Sequence, residues 1–174
     1  TPKDKRVKLL YFGTFFFSKG VDILIEAWNK TESNNIDLTI AGNSKTANFE
    51  LPNLDENSNM HIIDRYLQEE EVVELMSKSN ILVLPYRSTY EFGTSGVFVQ
   101  AALSNRLLIS PDLYPFNQVI NKYSLGMTFE AESAESMAKT IDYVTNNYNE
   151  FYKNARFSDF INDITKWKEI ASLI

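Results

Sequence analysis

The chain has 174 residues, of which 44% are hydrophobic and 13% aromatic, and its formal net charge is −6. This length and apolar content suffice for one folded domain with its own core, and they exclude a disordered chain. The acidic balance argues against nucleic acid as a main partner, because proteins that neutralise phosphates along a polymer are normally basic.

Residue types that build many catalytic centres are scarce in this chain. It has no cysteine, and His61 is its only histidine, which we interpret as bordering a strand. Disulfides and thiolate metal sites are therefore excluded, and a zinc centre or a Ser-His-Asp triad has little to build on. No apolar run approaches the roughly 20 residues needed to span a bilayer, and no signal peptide is recognisable. Because a strand-like run follows Thr1 almost at once, we expect the chain to be part of a longer protein.

Six short apolar runs predict the strands of a sheet. They are Val7–Phe12, Ile36–Gly42, Met60–Asp64, Ile81–Leu84, Arg106–Ser110 and Gly126–Glu130. The polar segment 43–59 is predicted to be a long surface loop. The fifth strand is expected to stop at Pro111.

Helical patterns fill most of the intervals between these runs. Val21, Leu24, Ile25 and Trp28 follow the spacing i, i+3, i+4 and i+7 of an amphipathic helix. The other predicted helices start at Glu69, cover Val97–Leu103 and Phe116–Tyr123, follow a cap at Ser133 and extend to Tyr148, and cover Ser158–Leu173. The alternation predicts one α/β domain over residues 1–174, Rossmann-like and three-layered, with a central parallel sheet flanked by helices and a helical tail over 148–174.

Three turns follow predicted strands that share one edge of this sheet. They come after Phe12, Asp64 and Pro85, and ligands of such sheets bind beyond the carboxyl ends of the strands. Lys19 lies where the first helix is expected to begin. A cation there is mildly unfavourable unless an anion is bound, so Lys19 is either an anion ligand or a solvated surface lysine.

The stretch Pro85–Asn105 contains a turn suited to phosphate. Gly93, Thr94, Ser95 and Gly96 are small and precede an apolar helix. The first turn of a helix has unpaired N–H groups and favours negative charge, so this turn could hold a phosphate. Alternatively, Thr94 or Ser95 only caps the helix while the two glycines shape the turn.

Short motifs follow one another in a fixed order along the chain. They are Tyr11-Phe12-Gly13, Lys19-Gly20-Val21-Asp22, Ile40-Ala41-Gly42, Ile81-Leu82-Val83-Leu84-Pro85, Glu91-Phe92-Gly93 and Gln100-Ala101. This ordered set resembles the C-terminal, nucleotide-sugar-binding half of family 4 glycosyltransferases, which are retaining enzymes of the GT-B fold. In that fold two Rossmann-like domains face each other across a cleft.

The resemblance implies roles for particular residues. Lys19 and Glu91 would be catalytic, and Gly13, Thr14, Lys19 and the amides around Gly93–Gly96 would lie at the donor diphosphate. Arg65 and Tyr66 would lie near the nucleotide base, and Gln100 would accept a ribose hydroxyl. Such catalysis requires no metal or other cofactor, because fixed amide dipoles and a lysine stabilise the leaving diphosphate.

Two departures from the family pattern affect this site. Thr14 stands where the family usually has an arginine, and Arg87 is a candidate replacement. The family also carries two glutamates eight positions apart. Gln100 takes the second place here and Phe92 the first, with Glu91 one residue out of register.

The resemblance also implies partners and a cellular setting. The donor would be a nucleotide-sugar, and the acceptor a glycan or a lipid-linked sugar held by an N-terminal domain absent from this chain. The reaction would be hexosyl transfer in polysaccharide synthesis, and we expect the fragment alone to catalyse little. The expected location is the cytoplasm, with peripheral association at the inner membrane face as an alternative for the full-length protein.

Two other functions are compatible with the sequence. The first is a non-catalytic GT-B-like module that binds a nucleotide or a protein, which the altered glutamate pair favours. The second is a flavodoxin-like regulatory domain, but that would need clustered acidic residues at the strand ends, and the turns here are not acidic. The last helix, with Trp167, either crosses to a missing domain or packs on this domain's own sheet.

Overall fold

The computed structural model describes residues 6–55, 57–90 and 96–171. Within these ranges strands and helices alternate. The strands are β1 (Val7–Phe12), β2 (Ile36–Gly42), β3 (Met60–Asp64), β4 (Ile81–Val83), β5 (Leu107–Pro111) and β6 (Gly126–Phe129). The helices are α1 (Val21–Trp28), α2 (Glu69–Lys78), α3 (Gly96–Leu103), α4 (Phe116–Tyr123), α5 (Ala134–Asn146), α6 (Tyr148–Asn154) and α7 (Phe157–Ala171).

The six strands form one sheet in the order β3-β2-β1-β4-β5-β6. Every neighbouring pair is parallel, which confirms the predicted Rossmann-like fold. The order changes direction between β1 and β4, because β2 and β3 extend to one side and β5 and β6 to the other. Open α/β sheets bind ligands at such a switch point, beyond the carboxyl ends of the strands.

The central strands are apolar on both faces because helices cover both. Leu9 and Leu10 of β1 are each 1% exposed, and Leu82 and Val83 of β4 are fully buried. Parallel sheets show such continuous apolar runs since crossover helices lie on each face. The runs that predict the strands are therefore also the centre of the core.

Helices pack in pairs on the two faces. On one face α1 contacts α5, and the Asp142 carboxylate accepts hydrogen bonds from the Glu32 and Ser33 amides just beyond α1. On the other face α7 contacts α3 and α4, where the Phe160 ring lies 5.3 Å from the Tyr123 ring. The first part of α7 thus packs on this domain, and the side chain of Trp167 lies outside the described part.

Several boundaries differ from the sequence prediction. β5 runs through Pro111, which is its last residue and pairs with Phe129; the missing N–H is tolerated at a strand end. Asn147 separates α5 from α6, so Tyr148 begins a second helix and does not continue the first.

The segment 43–59 is less of a surface loop than its polar composition suggests. Phe49, Leu51 and Leu54 are partly buried against the core, and residues Ser44–Thr46 form a short 3₁₀ turn. Among the described helices, none has the length and apolar character that crossing a membrane requires.

Candidate functional site

The chain leaves β1 through a turn that brings Lys19 to the carboxyl edge of the sheet. A 3₁₀ turn spans Phe17–Lys19, and Gly20 follows it in the left-handed conformation with φ 66°. α1 therefore begins one residue later, at Val21, and Lys19 precedes its N-cap. A Cβ on Gly20 would lie 1.9 Å from the Pro85 carbonyl oxygen. Only glycine lets the start of α1 approach the segment after β4 this closely.

The Lys19 ammonium lies between two tyrosine rings. Its Nζ is 4.1 Å from the ring centre of Tyr86 and 4.1 Å from that of Tyr90. Such contacts between a cation and ring faces are attractive. Burial lowers the pKa of Lys19 from 10.5 to about 8, because removal from water disfavours the charged form. No carboxylate in the described ranges forms an ion pair with Lys19, so its charge can act on a ligand.

The two rings belong to an aromatic cluster under the site. The ring centres of Tyr86 and Tyr90 are 4.4 Å apart, and Tyr86 also meets the Phe116 ring edge-on at 5.8 Å. Tyr11 lies beside them and donates its hydroxyl proton to the Thr14 carbonyl at 2.8 Å. Burial, and then the neighbouring Tyr86 and Tyr90, raise the pKa of Tyr11 well above 10. This cluster gives Lys19 a rigid, uncharged support.

Arg87 lies at the same edge, but its guanidinium is already bound within the protein. Its two terminal nitrogens donate to the Asp22 carboxylate at 2.9 and 2.6 Å, and one also donates to the Phe17 carbonyl at 2.6 Å. The residue is 8% exposed. Arg87 is thus close to where a ligand would lie, while its donors face the 3₁₀ turn and α1.

A narrow cleft of about 180 Å³ opens where β1, β2 and β3 end. The residues that line it are Phe12, Gly13, Thr14, Gly42, Asn43, Arg65, Tyr66, Leu67 and Val72. Two of the three predicted strand-end turns therefore form walls of this cleft, with Gly13 and Thr14 from one and Arg65 and Tyr66 from the other. Tyr66 is 74% exposed, which leaves its ring available to stack on a ligand.

Two glycines set the floor of this cleft. A Cβ on Gly42 would lie 1.8 Å from the Gly13 carbonyl oxygen, so the two chains meet backbone to backbone. The Gly13 N–H donates to the Ala41 carbonyl at 3.0 Å. Gly13 therefore contributes space to the cleft, since its amide proton is engaged within the sheet.

Arg65 is held by a carboxylate of α2. Its two terminal nitrogens donate to Glu71 at 2.9 and 2.5 Å. Glu71 also accepts from the Gln68 amide at 3.0 Å as part of a capping box. These hydrogen bonds lower the pKa of Glu71 to about 2, and the largest contribution comes from Arg65. Arg65 thus has a fixed direction beside the cleft.

Gln100 lies on a neighbouring cleft between α2 and α3. This second cleft has a volume of about 340 Å³ and includes Glu69, Val72, Met76 and Gln100 among its lining residues. Val72 also lines the narrow cleft at the strand ends, so the two clefts adjoin. The exposed amide of Gln100 is therefore within the same region of the surface as Tyr66.

Four predicted site residues lie outside the described residues: Glu91, Gly93, Thr94 and Ser95. Gly96 is described, is exposed, and begins α3 directly at the carboxyl side of β4. The helix predicted over Val97–Leu103 is therefore present, and it begins one residue earlier.

The partners of Lys19 and Arg87 are not predicted from the sequence. Tyr86, Tyr90 and Asp22 have no role in the predicted site, although the structure places the first two around Lys19 and the third on Arg87. The available signal was their position, since Tyr86 and Tyr90 follow a buried strand at the ligand edge. Their spacing by itself does not show which cation they meet.

The fold is a Rossmann-like α/β domain with an open parallel sheet, and the clefts lie beyond the carboxyl ends of its strands. The sequence model of the family Glycosyl transferases group 1 matches residues 1–158. The chain belongs to that family. No curated protein matches it by sequence.

Solved structures support the same fold. The chain is similar to the HepE protein of Anabaena in complex with UDP and glucose, with a TM-score of 0.73 and 12% identity over 97% of this chain and 48% of that one. It is also similar to the C-terminal domain of LpcC, a glycosyl transferase group 1 family protein of Francisella tularensis. The TM-score is 0.71 and the identity 16%, over 90% of this chain and 85% of that one.

A third similar structure is the catalytic domain of cholesterol-alpha-glucosyltransferase from Helicobacter pylori. The TM-score is 0.66 and the identity 13%, over 94% of this chain and 99% of that one. The chain thus spans nearly all of one relative and about half of HepE. At these identities the likeness establishes the GT-B type of domain fold.

Proposed function

We propose that this chain is the donor-binding domain of a retaining, family 4 type hexosyltransferase that uses a nucleotide-diphosphate sugar. The observation that carries the proposal is the partly buried Lys19 ammonium at the switch point of the sheet, without a described carboxylate partner. A partly buried cation is stabilised strongly by an anionic ligand, because the anion replaces the favourable interactions with water that the cation loses on burial.

The proposed ligand extends across both sides of the switch point. Its diphosphate lies between Lys19 and the N-terminus of α3, whose first amides and dipole favour negative charge. Its base enters the narrow cleft beside Tyr66 and Arg65, and its ribose lies toward Gln100. HepE, a structural relative, is described with UDP and with UDP-glucose, which supports this class of ligand.

In the proposed reaction the bond between the anomeric carbon of the sugar and the diphosphate oxygen breaks, and its electron pair stays on that oxygen. The anomeric carbon bonds to the oxygen of an acceptor hydroxyl, whose proton passes to the leaving diphosphate. Negative charge grows there as the bond lengthens, and a fixed lysine and fixed amides lower the barrier. This step needs no metal ion. The acceptor, a glycan or lipid-linked sugar in polysaccharide synthesis, would be bound by a second domain of the full-length protein.

Thermal unfolding with UDP, GDP, ADP and their glucose conjugates tests the proposal. A ligand at 100 times its Kd should stabilise the domain by about 2.7 kcal/mol, which raises Tm by roughly 5–11 °C for a chain of this size. Lys19→Ala should reduce the shift by half or more, because a tenfold to 100-fold loss of affinity leaves the ligand at about ten times its Kd or less. Lys139→Ala is the matched control, because Lys139 is an exposed lysine of α5 that pairs only with Glu135 among described residues.

The outcomes separate two functions. A nucleotide-specific shift that depends on Lys19 supports a donor site, and none at millimolar concentrations contradicts it. If the nucleotide binds but the full-length protein never releases diphosphate from the sugar conjugate, the chain is instead a non-catalytic binding module. The missing family arginine at Thr14 and the neutral Gln100 are the observations that favour this second function.

A further inference from the structure

The 3₁₀ turn that carries Lys19 has little of its own to fix it. Within the turn, the Lys19 amide donates to the Phe16 carbonyl at 2.8 Å and the Gly20 amide to the Phe17 carbonyl at 3.1 Å. Phe16 and Phe17 are about half exposed, and no residue of the turn is buried. A turn this short and exposed would not by itself hold a lysine in one direction.

Arg87 supplies the missing constraints from the neighbouring strand end. Its main-chain amide donates to the Ser18 carbonyl at 2.9 Å. Its side chain donates to the Phe17 carbonyl at 2.6 Å, and the guanidinium carbon lies 3.9 Å from the centre of the Phe17 ring. One residue thus binds two consecutive carbonyls of the turn and stacks on one of its side chains.

Asp22 fixes Arg87 in turn. The bidentate pair joins the first turn of α1 to the segment after β4, across 65 positions of sequence. The pair is shielded, with the Arg87 side chain 10% and the Asp22 side chain 33% exposed. Planar two-point pairing of this kind restricts direction more than a lysine could.

The same segment provides the rings around the Lys19 ammonium. Tyr86 directly precedes Arg87, and Tyr90 closes a turn by donating its amide to the Arg87 carbonyl at 2.9 Å. When Arg87 binds the 3₁₀ turn, the Lys19 side chain is therefore brought over Tyr86 and Tyr90.

We propose that Arg87, oriented by Asp22, is a positioning residue that sets the direction of the Lys19 ammonium toward the donor diphosphate. The proposal rests on the proposed function for the ligand and on the contacts of Arg87 for the geometry. This role differs from the one expected from the sequence. There, Arg87 would bind the phosphate directly and replace the family arginine that is missing at Thr14.

The test compares Arg87→Met, Arg87→Lys and Asp22→Asn with Arg6→Met. Arg6 is the matched control, because it also pairs with an aspartate, Asp37, but at the opposite edge of the sheet. The ligand is whichever of UDP, GDP and ADP binds to the natural chain. The measurement is the ratio of the affinity for this nucleoside diphosphate to the affinity for the corresponding nucleoside. This ratio isolates the diphosphate contribution, and general loosening of the fold would weaken both ligands alike.

Arg87→Met should lower the ratio by about tenfold to 100-fold, the range of a lost charge-assisted hydrogen bond, and Lys19→Met should do the same. The double variant should lose no more than either single one, because both changes remove one interaction. Asp22→Asn and Arg87→Lys should give partial losses and Arg6→Met none. An unchanged ratio in Arg87→Met overturns the proposal. Losses that multiply in the double variant also overturn it, since Arg87 would then bind the diphosphate itself.

NMR of ¹³C-lysine-labelled protein without nucleotide keeps this test separate from the proposed function. The resonances of Lys19 are assigned as those absent from Lys19→Met. Its methylene resonances should be shifted by the rings of Tyr86 and Tyr90, and Arg87→Met should remove that shift. The pKa of Lys19 should rise toward its ordinary value in the same variant. Tyr11, Tyr86, Tyr90, Arg87, Asp22 and Glu132 are the described titratable groups around this region. If the ring shift persists in Arg87→Met, the positioning role is excluded whether or not any nucleotide binds.

Discussion

The Lys19 ammonium lies 4.1 Å from the centre of the Tyr90 ring. Lys19 follows β1 and Tyr90 follows β4, the two strands between which the order of the sheet changes direction. The ring compensates only part of the hydration that the ammonium loses, so burial still lowers the pKa of Lys19 to about 8. The charge on which the proposed site depends therefore changes within an accessible pH range.

The affinity for a nucleoside diphosphate should fall as pH rises above about 8. An anion binds the charged lysine, so affinity is fully present below the pKa of the free protein and is lost above it, by up to about tenfold per pH unit. The ligand phosphate, with a second pKa of about 6, is already ionised in this range. Calorimetric titration of UDP from about pH 7 to 9.5 measures the change. Equal pH profiles for the natural chain and Lys19→Met would contradict the assignment.

The stability of the free protein should change in the opposite direction. Between about pH 8 and 10.5 the unfolded chain binds more protons at Lys19 than the folded chain does. Its contribution to the free energy of unfolding therefore rises with pH across that window. Urea unfolding at several pH values, with Lys19→Met as the reference, isolates this contribution. The free energy of unfolding of the natural chain, minus that of Lys19→Met, should therefore rise with pH. If this difference falls or stays constant, it disagrees with the lowered pKa of Lys19.

Tyr66→Ala should weaken nucleotide binding through the base alone. Stacking of a base on an aromatic ring contributes about 1–3 kcal/mol, so UDP affinity should fall by roughly fivefold to 150-fold. Pyrophosphate, which has no base, should bind equally to both proteins. Tyr114→Ala is the control, because Tyr114 is a similarly exposed tyrosine that does not line the narrow cleft. If Tyr66→Ala weakens pyrophosphate as well, Tyr66 does not mark the base position.

Gln100→Glu should strengthen binding of UDP by about fivefold. A charged acceptor makes a hydrogen bond worth roughly 1 kcal/mol more than a neutral one. The gain should disappear with a 2′,3′-dideoxy nucleotide, which has no hydroxyl to donate. Calorimetry with both nucleotides measures the difference, and the same gain for both would place Gln100 away from the ribose.

Gly20→Ala should lower both stability and diphosphate affinity. The new Cβ would face the Pro85 carbonyl at 1.9 Å, at a residue whose φ is 66°. The left-handed conformation alone costs about 1–2 kcal/mol for a non-glycine residue, or roughly 2–8 °C in Tm, and the backbone clash adds to it. Gly96→Ala is the steric control, because none of the described atoms lies within 4 Å of its Cβ position. Equal Tm values for the two variants would show that the Gly20 contact is not required.

Much of the fold follows from local patterns in the sequence. Val7–Phe12 and Ile36–Gly42 are apolar runs bounded by polar turns, and both strands have the predicted limits. Alternation with helices then requires parallel strands, which places Gly13, Arg65 and the start of α3 at one edge. Prediction failed where composition misleads, as in segment 43–59, whose few apolar side chains pack on the core.

The finer geometry of the site depends on contacts between distant parts of the chain. Lys19 can be placed at the ligand edge from its position after β1, but its neighbours Tyr86 and Tyr90 come from the segment after β4. The Asp22–Arg87 pair likewise exists only because β1 and β4 are adjacent in the sheet. From sequence alone Arg87 is a free cation and a candidate phosphate ligand, since no pattern shows that a carboxylate already binds it.

The low pKa of Lys19 also makes its amine a nucleophile. At about pH 8 roughly half of this side chain is uncharged, whereas an ordinary lysine with a pKa near 10.4 is almost entirely protonated. Acylating reagents and aldehydes at limiting concentration should therefore modify Lys19 ahead of exposed lysines such as Lys139, whose pKa is raised by Glu135. Lys19 thus provides a selective point of chemical attachment, and a bound diphosphate would protect it.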